Sequence, residues 1–268
     1  MQTRCVSVVG YLNKEGLQSN FNFVTPVFRD LNGEPADINI QDLQMDTTVT
    51  IGNAKLSTLD NSNLRAAQVE YIWVPKSQFS KYGITGFDDK NGVWTIKSGS
   101  GRDTTYTVPA AEASILKAGT GIQLYVNGTG KALNLSGEVT DAQIELPTLS
   151  NFNFVGYPFP ADGDIRDIQM DTTVTIGNAK FSTLDNSNLR AAQVEYIWVP
   201  RSQFSKYSIV GRDGDNGTWA IKEGSGRDTT YAEPTGDALI LKAGSAIQLY
   251  VNGTGKKVYI NAPYTLAK

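Results

Sequence analysis

Apolar and polar positions alternate in short runs along this chain, and no window sustains the 3.6-residue apolar stripe of an amphipathic helix. The runs VEYIWV (69–74), VWTIK (93–97), TWAIK (218–222) and IQLYV (122–126 and 247–251) are rich in β-branched and aromatic residues, as strands are. Between them lie turn formers: IGN, LDNSN, DKNG, GDNG, GSG and NGTG. In VEYIWV, alternation puts Val69, Tyr71 and Trp73 on one face and Glu70, Ile72 and Val74 on the other. Both faces carry apolar groups, which predicts a central strand. Short helical turns are expected at INIQDLQM (38–45), DIRDIQM (164–170) and SQFSKY (77–82 and 202–207), where Asp or Ser can cap a first turn.

The pattern occurs twice. Asp46–Pro75 returns as Asp171–Pro200 with one change, Leu56 becoming Phe181. SQFSKY, GSGRDTTY and IQLYVNGTGK also occur in both halves, and SNFNFV stands at Ser19 and again at Ser150. This predicts an all-β protein of two tandem antiparallel β-sandwich modules related by internal duplication, residues 1–137 and 138–268, joined near GEVTDAQIELPT.

Three further runs, CVSVVGY at the N-terminus, ALNLSGEV after the first NGTGK and KVYINAPY after the second, read as alternating strands. Parsed this way, the chain has one such strand more than it has module bodies. A strand at one terminus is then free to complete another molecule, with Cys5, Val6 and Val8, or Val258, Ile260 and Tyr264, as the assembly strands.

Composition removes several classes of function. Charged residues are 19% with a net charge of −3 and no Lys/Arg run, so the basic stripe of a nucleic-acid binder is missing. No apolar segment reaches the roughly 20 residues of a membrane span. MQTRCVSVVGY does not read as a signal peptide. Cys5 is the only cysteine, which excludes an intrachain disulfide; a buried thiol is expected, with an intermolecular bridge as the alternative. Histidine is absent, which removes Ser-His and Cys-His nucleophile pairs and His-containing zinc sites. The expectation is no enzyme, no cofactor and no metal. DGDNG (213–217) lacks the last acidic ligand and the flanking helices of a calcium loop and reads as a hairpin turn.

The second half carries GYPFP (Gly156, Tyr157, Pro158, Phe159, Pro160), then Tyr196-x-Trp198, then Ala243 and Gly244 ahead of Tyr250. This order resembles a tandem repeat of secreted and surface-exposed bacterial proteins. Tyr157 stands where that repeat usually has Asn, and the first half reads VTPVF at this place. The resemblance implies an extracellular or cell-surface β-sandwich with a structural or adhesive role, and it supplies no catalytic residue. Two functions follow as expectations. One is a self-assembling subunit of an extracellular filament, fibre or surface layer, whose partners are copies of itself. The other is a tandem module that binds carbohydrate or a surface ligand, with Trp94 and Trp219 either as the stacking platform or as core.

Overall fold

The computed structural model describes residues 9–17, 19–25, 37–59, 67–116, 121–139, 141–157, 159–185 and 188–266. In the N-terminal half the strands are β1 (Val9–Leu17), β2 (Asn20–Val24), β3 (Ile38–Asn39), β4 (Gln44–Met45), β5 (Ala54–Leu59), β6 (Ala67–Pro75), β7 (Gly92–Ser98), β8 (Thr105–Thr107), β9 (Ile115–Leu116), β10 (Ile122–Val126) and β11 (Lys131–Glu138). In the C-terminal half they are β12 (Ile144–Pro147), β13 (Asn151–Gly156), β14 (Gly163–Asp164), β15 (Ile168–Met170), β16 (Ala179–Asp185), β17 (Asn188–Pro200), β18 (Gly217–Glu223), β19 (Thr230–Ala232), β20 (Ile240–Leu241), β21 (Ala246–Val251) and β22 (Lys257–Ile260). The strand ladders are antiparallel. The one-turn helices α1 (Phe79–Tyr82) and α2 (Phe204–Tyr207) fall in SQFSKY, and 3-10 turns fall in INIQDLQM and DIRDIQM, where the sequence places them. Among the described residues no helix is long and apolar enough to cross a membrane.

Each half pairs a six-stranded sheet with a three-stranded one. The orders are β2-β10-β5-β6-β7-β8 with β1-β11-β4, and β13-β21-β16-β17-β18-β19 with β12-β22-β15. VEYIWV is central, as expected. Leu56, Trp73, Trp94 and Leu124 of the larger sheet meet Met45, Leu133 and Leu135 of the smaller one in a single apolar cluster. Phe181, Trp198, Trp219 and Leu249 meet Met170, Val258 and Ile260 in a second. Two sheets that bury facing sides in this way form a β-sandwich. The one exchange inside the long repeated stretch, Leu56 against Phe181, lies within these clusters, and both side chains are fully buried.

Part of the outer face of each large sheet is also covered. Phe79 and Ile84 lie on Val74 and Val93, and Phe204 and Ile209 lie on Val199 and Ala220. This second apolar layer explains why VEYIWV is apolar on both sides.

The terminal strands correct the expectation of a surplus. β11 is the middle strand of its sheet, with β1 and β4 as partners, and β22 is the middle strand of the other, with β12 and β15. Each half therefore has its own entry strand and its own closing strand, and β11 is not shared. The entry strand of the second half is β12, which is short and ends at Pro147. Val258 and Ile260 are fully buried and hydrogen-bonded within the chain on both edges, so they are not free to complete a neighbour. Tyr264 packs edge to face on Phe159, centroids 6.0 Å apart. Cys5, Val6 and Val8 lie outside the described residues.

The halves touch through the edge strands β2 and β13. Thr25 N donates to Gly244 O at 2.9 Å, Val24 bridges Ser245, and Gly121 N donates to Phe154 O at 3.5 Å. Phe23, Phe154 and Ala246 form a small apolar cluster at the contact, with Phe21 against it. Gly156 is required there: a Cβ on it would lie 1.7 Å from Thr25 Oγ1. Ala243 and Leu266 of the C-terminal half also pack on the N-terminal core.

Candidate functional site

Where α2 does not cover the large sheet, its outer face is open. Strand alternation sends Ile247, Leu249 and Val251 inward and leaves Gln248 and Tyr250 outward. In β16 it sends Ala179 and Phe181 inward and leaves Lys180 and Ser182 outward. With Phe152, Gly177, Glu195 and Asn252, these side chains line a concavity of about 460 Å³, within the usual range for a small-ligand site.

The register brings these residues together. Tyr250 sits opposite Phe152 on one side and Lys180 on the other, and Ser182 lies opposite both Gln248 and Glu195. The Phe152 and Tyr250 rings meet edge to face, 5.4 Å between centroids. Lys180 Nζ is 3.4 Å from Glu195 Oε1, and both side chains remain substantially exposed. Asn252 is fixed at the rim, its N donating to Asn178 O at 2.7 Å and its Nδ2 to Asn178 Oδ1 at 3.3 Å.

The N-terminal half presents the same side chains at the same sheet positions. Phe21 and Tyr125 lie edge to face at 5.5 Å, and Lys55 Nζ is 3.5 Å from Glu70 Oε1. Asn127 holds Asn53 with distances of 2.7 and 3.4 Å. Ser57 pairs with Gln123 and Glu70 in the corresponding register. In each half an aromatic edge, an amide, a hydroxyl and an ammonium–carboxylate pair share one sheet face, which in the C-terminal half is concave. Such a face offers stacking and both donors and acceptors.

Trp94 and Trp219 are not part of it, which corrects the platform expected at these positions. Both are fully buried. Trp94 lies edge to face on Trp73 at 5.2 Å and donates from Nε1 to Leu43 O at 2.7 Å; Trp219 does the same with Trp198 at 5.1 Å and Ile168 O at 2.6 Å. No ring face is left for a ligand. The glycine opposite each pair is equally committed, because a Cβ on Gly217 would sit 2.5 Å from the Trp198 ring.

A second concavity, about 320 Å³, lies near Gln143, Gln169, Asp171, Asn216 and Asn261. Its amides brace the backbone. Gln169 Nε2 donates to Arg166 O at 2.8 Å, and its Oε1 accepts from Asn216 N at 2.9 Å. Gln143 Nε2 donates to Asn261 Oδ1 at 2.7 Å. Burial pushes the Asp171 carboxyl pKa up, but hydrogen bonds from the Thr173 hydroxyl, Lys257 N and Thr173 N outweigh it and hold the value below the ordinary one. Asp46 is held low in the same way by Thr48 and Ala132. These carboxylates tie a turn to the closing strand of each half.

Electrostatics differ between the halves around Arg212. Arg212 is 2.8 Å from the buried Asp167 and 2.9 Å from Asp215, while Phe87 occupies its place in the first repeat. Burial, with the Asp167 carboxylate beside it, pushes the Tyr157 hydroxyl well above the ordinary phenol value. Among the described residues no group of three or more His, Cys, Asp or Glu is placed to hold a metal ion.

The sequence signal for the groove was present but scattered. Lys55-x-Ser57, Glu70 and Gln123-x-Tyr125 are outward positions of core strands, repeated unchanged as Lys180-x-Ser182, Glu195 and Gln248-x-Tyr250. Only the register assembles them. No protein-family model, curated protein or solved structure matches this chain.

Proposed function

We propose that this chain is a tandem pair of β-sandwich modules that arose by internal duplication, residues 1–137 and 138–268, and that it binds carbohydrate at a cell surface through one groove per module. The observation that carries this reading is the groove of the C-terminal half, whose aromatic edge and Lys–Glu pair recur at the corresponding sheet positions of the N-terminal half. A sugar ring has an apolar face for Tyr125 or Tyr250 and a rim of hydroxyls for the polar side chains. Two such sites in one chain convert modest single-site affinity into avidity on a repetitive surface. The test is a glycan array followed by calorimetry on the wild type and on Tyr125→Ala/Tyr250→Ala. Binding by the wild type and its loss in the folded double variant support the reading. An array without any bound glycan, or binding that survives both substitutions, removes it.

A second reading, a subunit of an extracellular filament, fibre or layer, is favoured by the main-chain hydrogen bond from Thr25 N to Gly244 O. It supplies a precedent within the chain for sheet edges that join one sandwich to another. β1 and β12 each present one further edge of that kind. Negative-stain electron microscopy decides it: regular polymers that disappear on deletion of residues 1–8 support assembly, and monodisperse particles overturn it.

A further inference from the structure

We infer that the ligand of the two grooves is a neutral sugar, and that Glu70 and Glu195 set this preference; the inference rests on the carbohydrate reading above. The only cation lining the described groove is Lys180, and Glu195 stands 3.4 Å from it. Lys55 has Glu70 at 3.5 Å in the other half. The remaining side chains, Phe152, Ser182, Gln248, Tyr250 and Asn252, are uncharged. Lys180 and Glu195 are diagonal neighbours on adjacent strands, since Glu195 faces Ser182, so sheet geometry holds them side by side.

A uronate, sulfate or sialate entering this site would meet its one cation already opposed by a carboxylate, and would bring a like charge against Glu195. The chain as a whole, with net charge −3, adds no attraction for an anionic polymer. A neutral sugar meets the opposite situation. Two adjacent hydroxyls are each donor and acceptor, and an ammonium beside a carboxylate offers one donor group and one acceptor group at matching spacing. Hydrogen bonds to charged partners are the stronger kind, so the pair contributes to affinity while excluding acids.

The test uses matched ligands: neutral gluco-, galacto- and manno-oligosaccharides, and the same oligosaccharides oxidised at C6 to uronates. The full-length chain is titrated with both at low and physiological salt. Wild type is expected to favour the neutral member by about tenfold or more. Glu70→Gln/Glu195→Gln, shown to be folded by its melting curve, is expected to weaken neutral binding by about tenfold and to bind the uronate better than wild type does at low salt. Preference of the wild type for the uronate, or an unchanged ratio in the Gln variant, overturns the inference while leaving the carbohydrate reading standing. Absence of binding to every member of both series removes the carbohydrate reading and this inference with it.

Discussion

The ring of Phe23 meets the ring of Phe154 edge to face, 5.7 Å between centroids and 74° between planes, and the two residues hold the same place in the repeated SNFNFV segment. A residue that touches its own counterpart defines a self-complementary contact between the two halves. Two backbone hydrogen bonds flank it: Thr25 N donates to Gly244 O and Gly121 N donates to Phe154 O, joining the β2 and β13 segments to the approaches of β21 and β10 in the other half. Phe154→Ala is therefore expected to lower the stability of the full chain by about 1–3 kcal/mol. Gly156→Val, which drives a side chain into Thr25, is expected to separate one denaturation transition into two. Urea denaturation followed by tryptophan fluorescence checks both, and a Gly156→Val variant indistinguishable from wild type contradicts the contact.

The two tryptophans of each core are not equivalent. Trp219 Nε1 donates to Ile168 O, whereas the buried Trp198 Nε1 has no hydrogen-bond partner among the described residues. Trp219→Phe leaves a buried carbonyl without its donor, so it is expected to cost about 1–2 kcal/mol more than Trp198→Phe. Trp94→Phe and Trp73→Phe are expected to order the same way. Equal losses within each pair would contradict the role given to these bonds.

Acid sensitivity follows from Asp46 and Asp171. Their folded-state pKa values lie below the ordinary value, so the stability they contribute is fully present above the unfolded value near 4 and is lost as pH falls through the folded one. Asp171→Asn is expected to cost about 1 kcal/mol at pH 7, a modest figure because the carboxylate is only partly buried. The gap between variant and wild type should close below about pH 3. A gap that persists or widens in acid would contradict the sign.

Backbone conformation supplies another test. Gly83 ends α1 with φ +65°, and Ser208 ends α2 with φ +55°. A residue with a Cβ is disfavoured in that left-handed region by about 1 kcal/mol. Ser208→Gly is expected to raise the melting temperature, and Gly83→Ser to lower it. Failure of the first to stabilise would mean that Ser208 gains something there to offset its strain.

Much of the fold is legible in the residues, and the reasons for the rest are local. VEYIWV announces a central strand because both of its faces are apolar, and SQFSKY announces a short helix through its polar start and apolar Phe. β12 escaped because IELP is brief and its proline interrupts the alternation, and with it hidden the strand count came out odd. Trp94 and Trp219 invite two readings, since an aromatic residue on a strand faces core or ligand according to which side of the sheet is packed. Alternation cannot tell inside from outside when a second layer, Phe79 or Phe204, covers part of the outer face. The groove hides for a related reason: Phe152, Lys180, Glu195 and Tyr250 lie far apart in sequence and become neighbours only through antiparallel register.

Along β2 and β13, Phe21 and Phe23 lie on one face, as do Phe152 and Phe154, and the central two are in contact. The order across the junction is thus a palindrome: Phe21, Phe23, Phe154, Phe152. A polysaccharide has a reducing and a non-reducing end. Laid along this row, it would run forward over one groove and backward over the other. On the carbohydrate reading proposed above, recognition at both halves at once would rest on what is common to the two directions, the face of a ring and a pair of adjacent hydroxyls. On that reading, the same arrangement would grip two strands that approach from opposite sides as readily as one.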